Sequence, residues 1–164
     1  MEDYKLKVHT LTLMEQEVMA IEYELIVSKR NYYPRFKSCS AKEAVEFIKS
    51  ISVVRQNLSI IEVAGMLCLN RANYVTGFKI LSQGGVSGTI IDPKIVAKYA
   101  VDTLSCAVIL WHNHPSGQLK PSDSDLSLTK KVKEGLDLLD IKLLDNLIIT
   151  DTDEYYSFAQ EGIL

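Results

Sequence analysis

The sequence predicts an α/β (α+β) fold in which one mixed β-sheet is sandwiched by helices, and three observations carry that prediction. Segments with strand patterning take turns with segments of helical period along most of the chain. One apolar run, Cys106-Ala-Val-Ile-Leu-Trp111, is continuous and bounded by polar residues, as in a strand buried on both faces by helices packed on either side of its sheet. The 164 residues, 47% apolar and 24% charged, suffice for one hydrophobic core and not for two full-sized domains.

Along the chain, Ile21, Tyr23, Leu25 and Val27 alternate with Glu22, Glu24 and Ile26 as in a strand, which Asn31 to Pro34 end. Residues 1–39 are therefore read as a strand-containing N-terminal extension, and residues 40–164 as the domain. Ser40-Ala-Lys-Glu43 has the spacing of a capping box and leads into Ala44, Val45, Phe47 and Ile48, the apolar stripe of a helix. The apolar run from Ile60 to Leu69 predicts a central strand, ended by the turn-like Asn70-Arg-Ala-Asn73, and a second strand follows over Tyr74 to Leu81. Gln83-Gly-Gly85 breaks the pattern. Asp92-Pro93 then supplies an N-cap and a first-turn proline for a helix through Thr103. Beyond the buried strand at Trp111, a loop rich in proline, glycine and serine precedes a helix from Ser122 to Asp140, marked by Leu126, Leu128, Val132, Leu136 and Leu139. Leu143 to Thr150 reads as a strand, Asp151 to Glu154 as a hairpin turn and Tyr155 to Phe158 as a last short strand.

With 18 Lys and Arg against 21 Asp and Glu, the formal charge is -3, so the chain has no general attraction to phosphate backbones. Residues 131–164 hold 3 Lys and 8 acidic residues, a poor surface for nucleic acid, and Lys130, Lys131 and Lys133 read as a solvated helix face. No stretch reaches the roughly 20 apolar residues of a membrane span, and Met1 to Thr10 lacks the apolar centre of a signal peptide. The 3 cysteines, Cys39, Cys68 and Cys106, form no C-x-x-C pair and leave an odd count. They read as small buried hydrophobes in a reducing compartment. The chain is expected to be cytoplasmic and unprocessed, with no membrane partner.

Chemistry concentrates where the buried strand ends. Of 3 histidines, two are His112 and His114. Residues i and i+2 leaving a strand project to the same side, so the two imidazoles can converge. Two neutral imidazoles and a carboxylate are a common catalytic zinc set. The third ligand should come from Asp123 or Asp125, and geometry favours Asp125, in the first turn of a helix that Ser122 caps and whose positive end favours a carboxylate. Three protein ligands leave a position for water, as in hydrolytic zinc sites.

His112-x-His114-Pro115, seven residues, Ser122, two residues and Asp125 resembles the JAMM (MPN+) metalloprotease motif throughout. The spelling His112-Asn-His114-Pro-Ser-Gly117 is similar to the RadC branch, as are Gly84-Gly85, Asp92-Pro93, and Tyr156-Ser-Phe158 with Gly162. The likeness covers roughly residues 40–164. It implies the JAB/MPN fold, related to that of cytidine deaminases, and a Zn2+ cofactor held by His112, His114 and Asp125. It further implies an upstream glutamate at the matching position Glu62, which takes a proton from the zinc-activated water and returns it to the departing amine. Ser122 then donates a hydrogen bond to the tetrahedral oxyanion. The implied activity is that of a zinc-dependent metallohydrolase acting on a peptide or isopeptide bond of a peptide or protein substrate. Two positions depart from the branch: residues 1–39 hold no helix-hairpin-helix sequence, and Asp145-Asn146 stands where Asp-His is frequent.

Other readings of the same residues are weighed against this one. Glu43 and Glu46 rival Glu62 as the base, but they fall on a helix. A Cys/His nucleophile is disfavoured because Cys106 lies in an apolar strand, and Trp111 reads as a core residue. A DNA-repair nucleic-acid-binding protein or nuclease conflicts with the net charge, and a nucleobase deaminase needs a P-C-x-x-C element that is absent. A non-catalytic MPN interaction domain conflicts with the filled motif positions. The strand at Ile21 to Val27 can pair within the domain or across a homodimer.

Overall fold

Two short strands, β1 (Val8–Leu13) and β2 (Gln16–Ile21), pair antiparallel from Val8↔Ile21 to Leu13↔Gln16. The computed structural model describes residues 8–13, 16–21, 37–38, 40–84 and 90–164. The chain divides into compact units of residues 1–34 and 35–164, and this hairpin belongs to the first. The sequence reading places no strand before Ile21. Met14-Glu15, between β1 and β2, carries none of the Gly or Asn that signals a tight hairpin turn. The strand predicted over Ile21 to Val27 lies, except for Ile21, outside the described residues.

In the second unit, Ser40 Oγ accepts from Glu43 N at 3.3 Å and starts α1 (Ala41–Ser50). A separate helix, α2 (Ser52–Asn57), follows directly; six residues are too few for a periodicity to show. Then come β3 (Val63–Leu69), β4 (Val75–Gln83) and α3 (Pro93–Asp102), whose N-cap Asp92 accepts from Lys94 N at 2.9 Å. They are followed by β5 (Ala107–Asn113), α4 (Asp123–Asp137), β6 (Lys142–Ile149) and β7 (Tyr155–Ser157). Elements expected over residues 40–164 occur where predicted, give or take a few residues at their ends.

The sheet order is β4-β3-β5-β6-β7. It is mixed because only β5 and β6 run parallel, the pair that α4 joins by a crossover. Every residue of β3 and β5 is buried, so their patterns are continuous rather than alternating. Val45, Ile48 and Val54 of α1 and α2 pack with Leu67, Ile109 and Trp111 on one face. Val96, Ala100, Val132 and Leu136 of α3 and α4 pack with Met66, Val108 and Leu110 on the other. The result is three layers, helices, sheet, helices.

Trp111 is fully buried and faces Gly65 across the β3–β5 pairing. A Cβ at Gly65 would lie 2.3 Å from Trp111 Cζ2 and 2.7 Å from the main-chain oxygen of Lys79. The indole is locked in the core, and the oxygen belongs to the neighbouring strand, so neither can yield cheaply. Gly65→Ala is expected to cost about 1–3 kcal/mol by overpacking, read as a lower urea midpoint with an unchanged slope.

Candidate metal centre

The alternation of β5 sets the site. Val108 and Leu110 lie on the α3/α4 face and Ile109 and Trp111 on the α1/α2 face. His112 continues the first row, buried at 5% exposure. His114 follows just past the strand end, its N–H donating to Ile149 O of β6 at 3.0 Å. The imidazoles converge as expected: His112 Nε2 and His114 Nε2 are 3.0 Å apart.

The carboxylate arrives from α4. Asp125, not Asp123, joins the histidines, with Oδ1 3.4 Å from His112 Nε2 and Oδ2 4.0 Å from His114 Nε2. One candidate donor atom from each of His112, His114 and Asp125 lies within 4.8 Å of the others. A reciprocal capping box holds Asp125. Its Oδ2 accepts from Ser122 N at 2.8 Å and from Ser122 Oγ at 2.6 Å, while Asp125 N donates back to Ser122 Oγ at 3.2 Å. The single hydroxyl proton of Ser122 therefore goes to Asp125. Two buried side chains anchor the next turn, Thr129, which the sequence reading does not single out, and Asn146, which it marks only as a departure from the RadC branch: Thr129 Oγ1 donates to Asp125 O at 2.6 Å and accepts from Asn146 Nδ2 of β6 at 2.7 Å. Neighbouring Asp145 is also buried, accepting from Ser157 Oγ at 2.5 Å, and burial raises its pKa.

The donor set fits a divalent cation. His114 Nδ1 lies 2.6 Å from Gln118 O. A carbonyl can only accept, so Nδ1 carries a proton and Nε2 is the ring nitrogen left to face the cluster. Burial drives the His112 pKa down to about 4, with His114 adding to the fall and Asp125 opposing it, so His112 is neutral near pH 7. Burial alone would raise the pKa of Asp125, but the Ser122 hydrogen bonds and the two imidazoles outweigh it and hold the group anionic. Two imidazoles and one carboxylate are a donor set zinc favours, one short of a closed structural site. His112 Nε2 and His114 Nε2 stand at contact distance, so a proton or a cation must lie between them.

A pH dependence follows for the metal-free chain. The folded-state pKa of His112 lies below its unfolded value near 6.5, so stability is full above that value and falls as pH drops toward 4. The loss from this group is on the order of 3 kcal/mol. Protonation of Asp125, also depressed in the folded state, adds a loss below about pH 4. Raised Asp145 acts in the opposite sense. Urea midpoints measured from pH 7 to 4 should decline for wild type, and the decline should be shallower for His112→Asn.

Glu62 directly precedes β3 and is part-buried, and its carbonyl accepts from Gly84 N at 2.8 Å. The antiparallel pairing begins at Ala64↔His112, and Glu62 and His114 each lie two residues beyond that pair at the same end of the two strands. Opposed residues of an antiparallel pair share a face. Glu43 and Glu46 belong to α1, which packs on the other face of the sheet from the histidines. Cys68 is buried, but Cys106 is exposed, contrary to expectation, because β5 begins one residue later. It stands six residues before His112, about 20 Å along an extended chain, too far for a Cys/His pair. Cys39 lies outside the described residues. Lys130 and Lys133 pair with Glu134 and Asp137 at 4.0 and 3.3 Å along an exposed face of α4. No helix among the described residues is long and apolar enough to cross a membrane.

A family model described as RadC-like JAB domain matches residues 39–163. A UPF0758 protein of Flavobacterium johnsoniae is 49% identical over 98 residues, which are 60% of this chain and 42% of that protein. One of Porphyromonas gingivalis is 44% identical over 99 residues, 60% of this chain and 44% of that protein. One of Azotobacter vinelandii is 37% identical over 140 residues, 85% of this chain and 62% of that protein. The chain thus spans between 42% and 62% of the length of these relatives.

Proposed function

The chain belongs to the RadC-like JAB domain family, and from that premise we propose that it is a zinc-dependent hydrolase of peptide or isopeptide bonds. The observation that supports this reading is the convergence of His112, His114 and Asp125 from a strand end and a helix start. They supply two imidazoles, that of His112 neutral, and an anionic carboxylate with no fourth protein donor among the described residues. A zinc ion held by these three residues supplies Lewis acidity toward water and toward the scissile carbonyl.

The remaining work falls to this chain's own side chains. Glu62, two residues before the Ala64 that pairs with His112, takes a proton from the attacking water and returns it to the departing amine. Ser122 holds Asp125 in place through three hydrogen bonds. Its hydroxyl serves a developing oxyanion once its proton turns from Asp125 Oδ2. The substrate is a peptide or protein.

The test is zinc content by elemental analysis of the untagged chain. The expected result is about one zinc per chain, followed by cleavage within a panel of linear and isopeptide-linked substrates. A chain that holds no zinc and takes none up on addition overturns the reading. A zinc-loaded chain that cleaves DNA instead of peptides overturns its substrate half.

A further inference from the structure

Between the two histidines stands a residue whose side chain goes the other way. Asn113 is fully buried, and its side-chain amide is spent on main chain between α2 and β3. Oδ1 accepts from Val63 N at 2.6 Å. Nδ2 donates to Leu58 O at 2.9 Å and Ile61 O at 3.0 Å, with Asn57 O farther off at 3.4 Å. The partners fix the amide's orientation, since only the oxygen can face an N–H and only the nitrogen can face carbonyls. Asp offers no donor, Leu neither donor nor acceptor, and Gln is one methylene too long for the same Cα position.

The residues flanking Glu62 are Ile61 and Val63, and Asn113 binds the main chain of both. Gly84 N adds a third tie at the Glu62 carbonyl. We propose that Asn113 is the positioning residue for Glu62, tying the backbone that carries it to the strand end that carries both imidazoles. This inference rests on the reading of Glu62 as the base. Because His112 and His114 leave one face of β5 and Asn113 the other, truncating Asn113 removes the tie without removing a donor of the cluster. Leu58 caps the end of α2, where carbonyls lack helical partners, so the same amide also gives the Leu58 carbonyl a hydrogen-bond partner.

The test uses the whole 164-residue chain, with 13C at the glutamate side-chain carboxyls and Co2+ loaded in place of zinc. The Glu62 signal is identified by its absence from Glu62→Gln. Paramagnetic broadening of that signal falls steeply with distance from the cobalt, a signature that a general loss of stability does not move. Wild type is expected to show a Glu62 signal broadened by Co2+. Asn113→Ala is expected to take up Co2+ as wild type does and to lose that broadening, with faster amide exchange over residues 58–63 and unchanged exchange in β5. Asn113→Ser keeps a hydroxyl for the Val63 N–H, should give an intermediate result, and serves if the alanine variant does not fold. Full broadening in both variants overturns the inference and leaves Glu62 as the base. A wild-type Glu62 signal that Co2+ does not broaden overturns the assignment of the base, and Asn113's role with it. A chain that takes up no Co2+ overturns the metal reading itself.

Discussion

His114→Ala should abolish zinc binding and leave the fold standing. Removing one of three donors leaves an imidazole and a carboxylate, and the loss of affinity should exceed the roughly 10–100-fold that changes to outer-shell partners cause. Stability should change little, because His114 lies outside the sheet and caps no helix. It lies beyond the end of β5 and its ring meets Gln118 O in a surface loop, and changes at such sites usually stay within about 0.5 kcal/mol. Its backbone bond to Ile149 O survives the substitution. The contrast is Asp125→Ala, which also removes the capping partner of Ser122 and should cost about 1 kcal/mol besides the metal. Elemental analysis beside urea midpoints for both variants separates the two effects. Zinc retained at wild-type stoichiometry in His114→Ala would remove that residue from the ligand set.

Most of this centre was legible in the sequence because it is local. His112, His114, Ser122 and Asp125 fall within one strand, loop and helix start, where strand alternation and helix capping are rules of short range. The sheet was legible for a similar reason: β3 and β5 are buried along their whole length, so their apolar runs have no polar interruption. What escaped depends on contacts across the fold. Asn113 looks like a spacer between two histidines until β5 is set beside the α2–β3 connection. Thr129 and Asn146 reveal their link to Asp125 only once α4 lies on β6. Cys106 escaped through a one-residue error in where a strand begins, which turned an exposed position into a buried one.

Glu62→Gln carries the second large effect. The substitution keeps size and shape, removes the capacity to accept and return a proton, and touches none of the three donors. Turnover of a peptide or isopeptide substrate should fall by about 10²–10⁴-fold, the usual contribution of a positioned acid–base group. KM and zinc content should stay near wild type, because the group acts on the attacking water and the leaving amine rather than on binding. Zinc-loaded Glu62→Gln with wild-type turnover would mean that another group moves the proton. Glu43→Gln and Glu46→Gln, on the opposite face of the sheet, should leave turnover unchanged and serve as controls.

The capping box at Ser122 and Asp125 bears on how such a centre would decay through descent. Both residues would be retained by selection for a well-formed α4 even in a lineage whose chemistry had lapsed, because their hydrogen bonds to each other need no ion. His114 has less of such second protection: among the described residues its ring's hydrogen bond outside the cluster goes to the Gln118 carbonyl. Under drift alone, the serine–aspartate pair would therefore be expected to outlast His114, because an intact Ser-x-x-Asp is held by the helix it caps as well as by any ion.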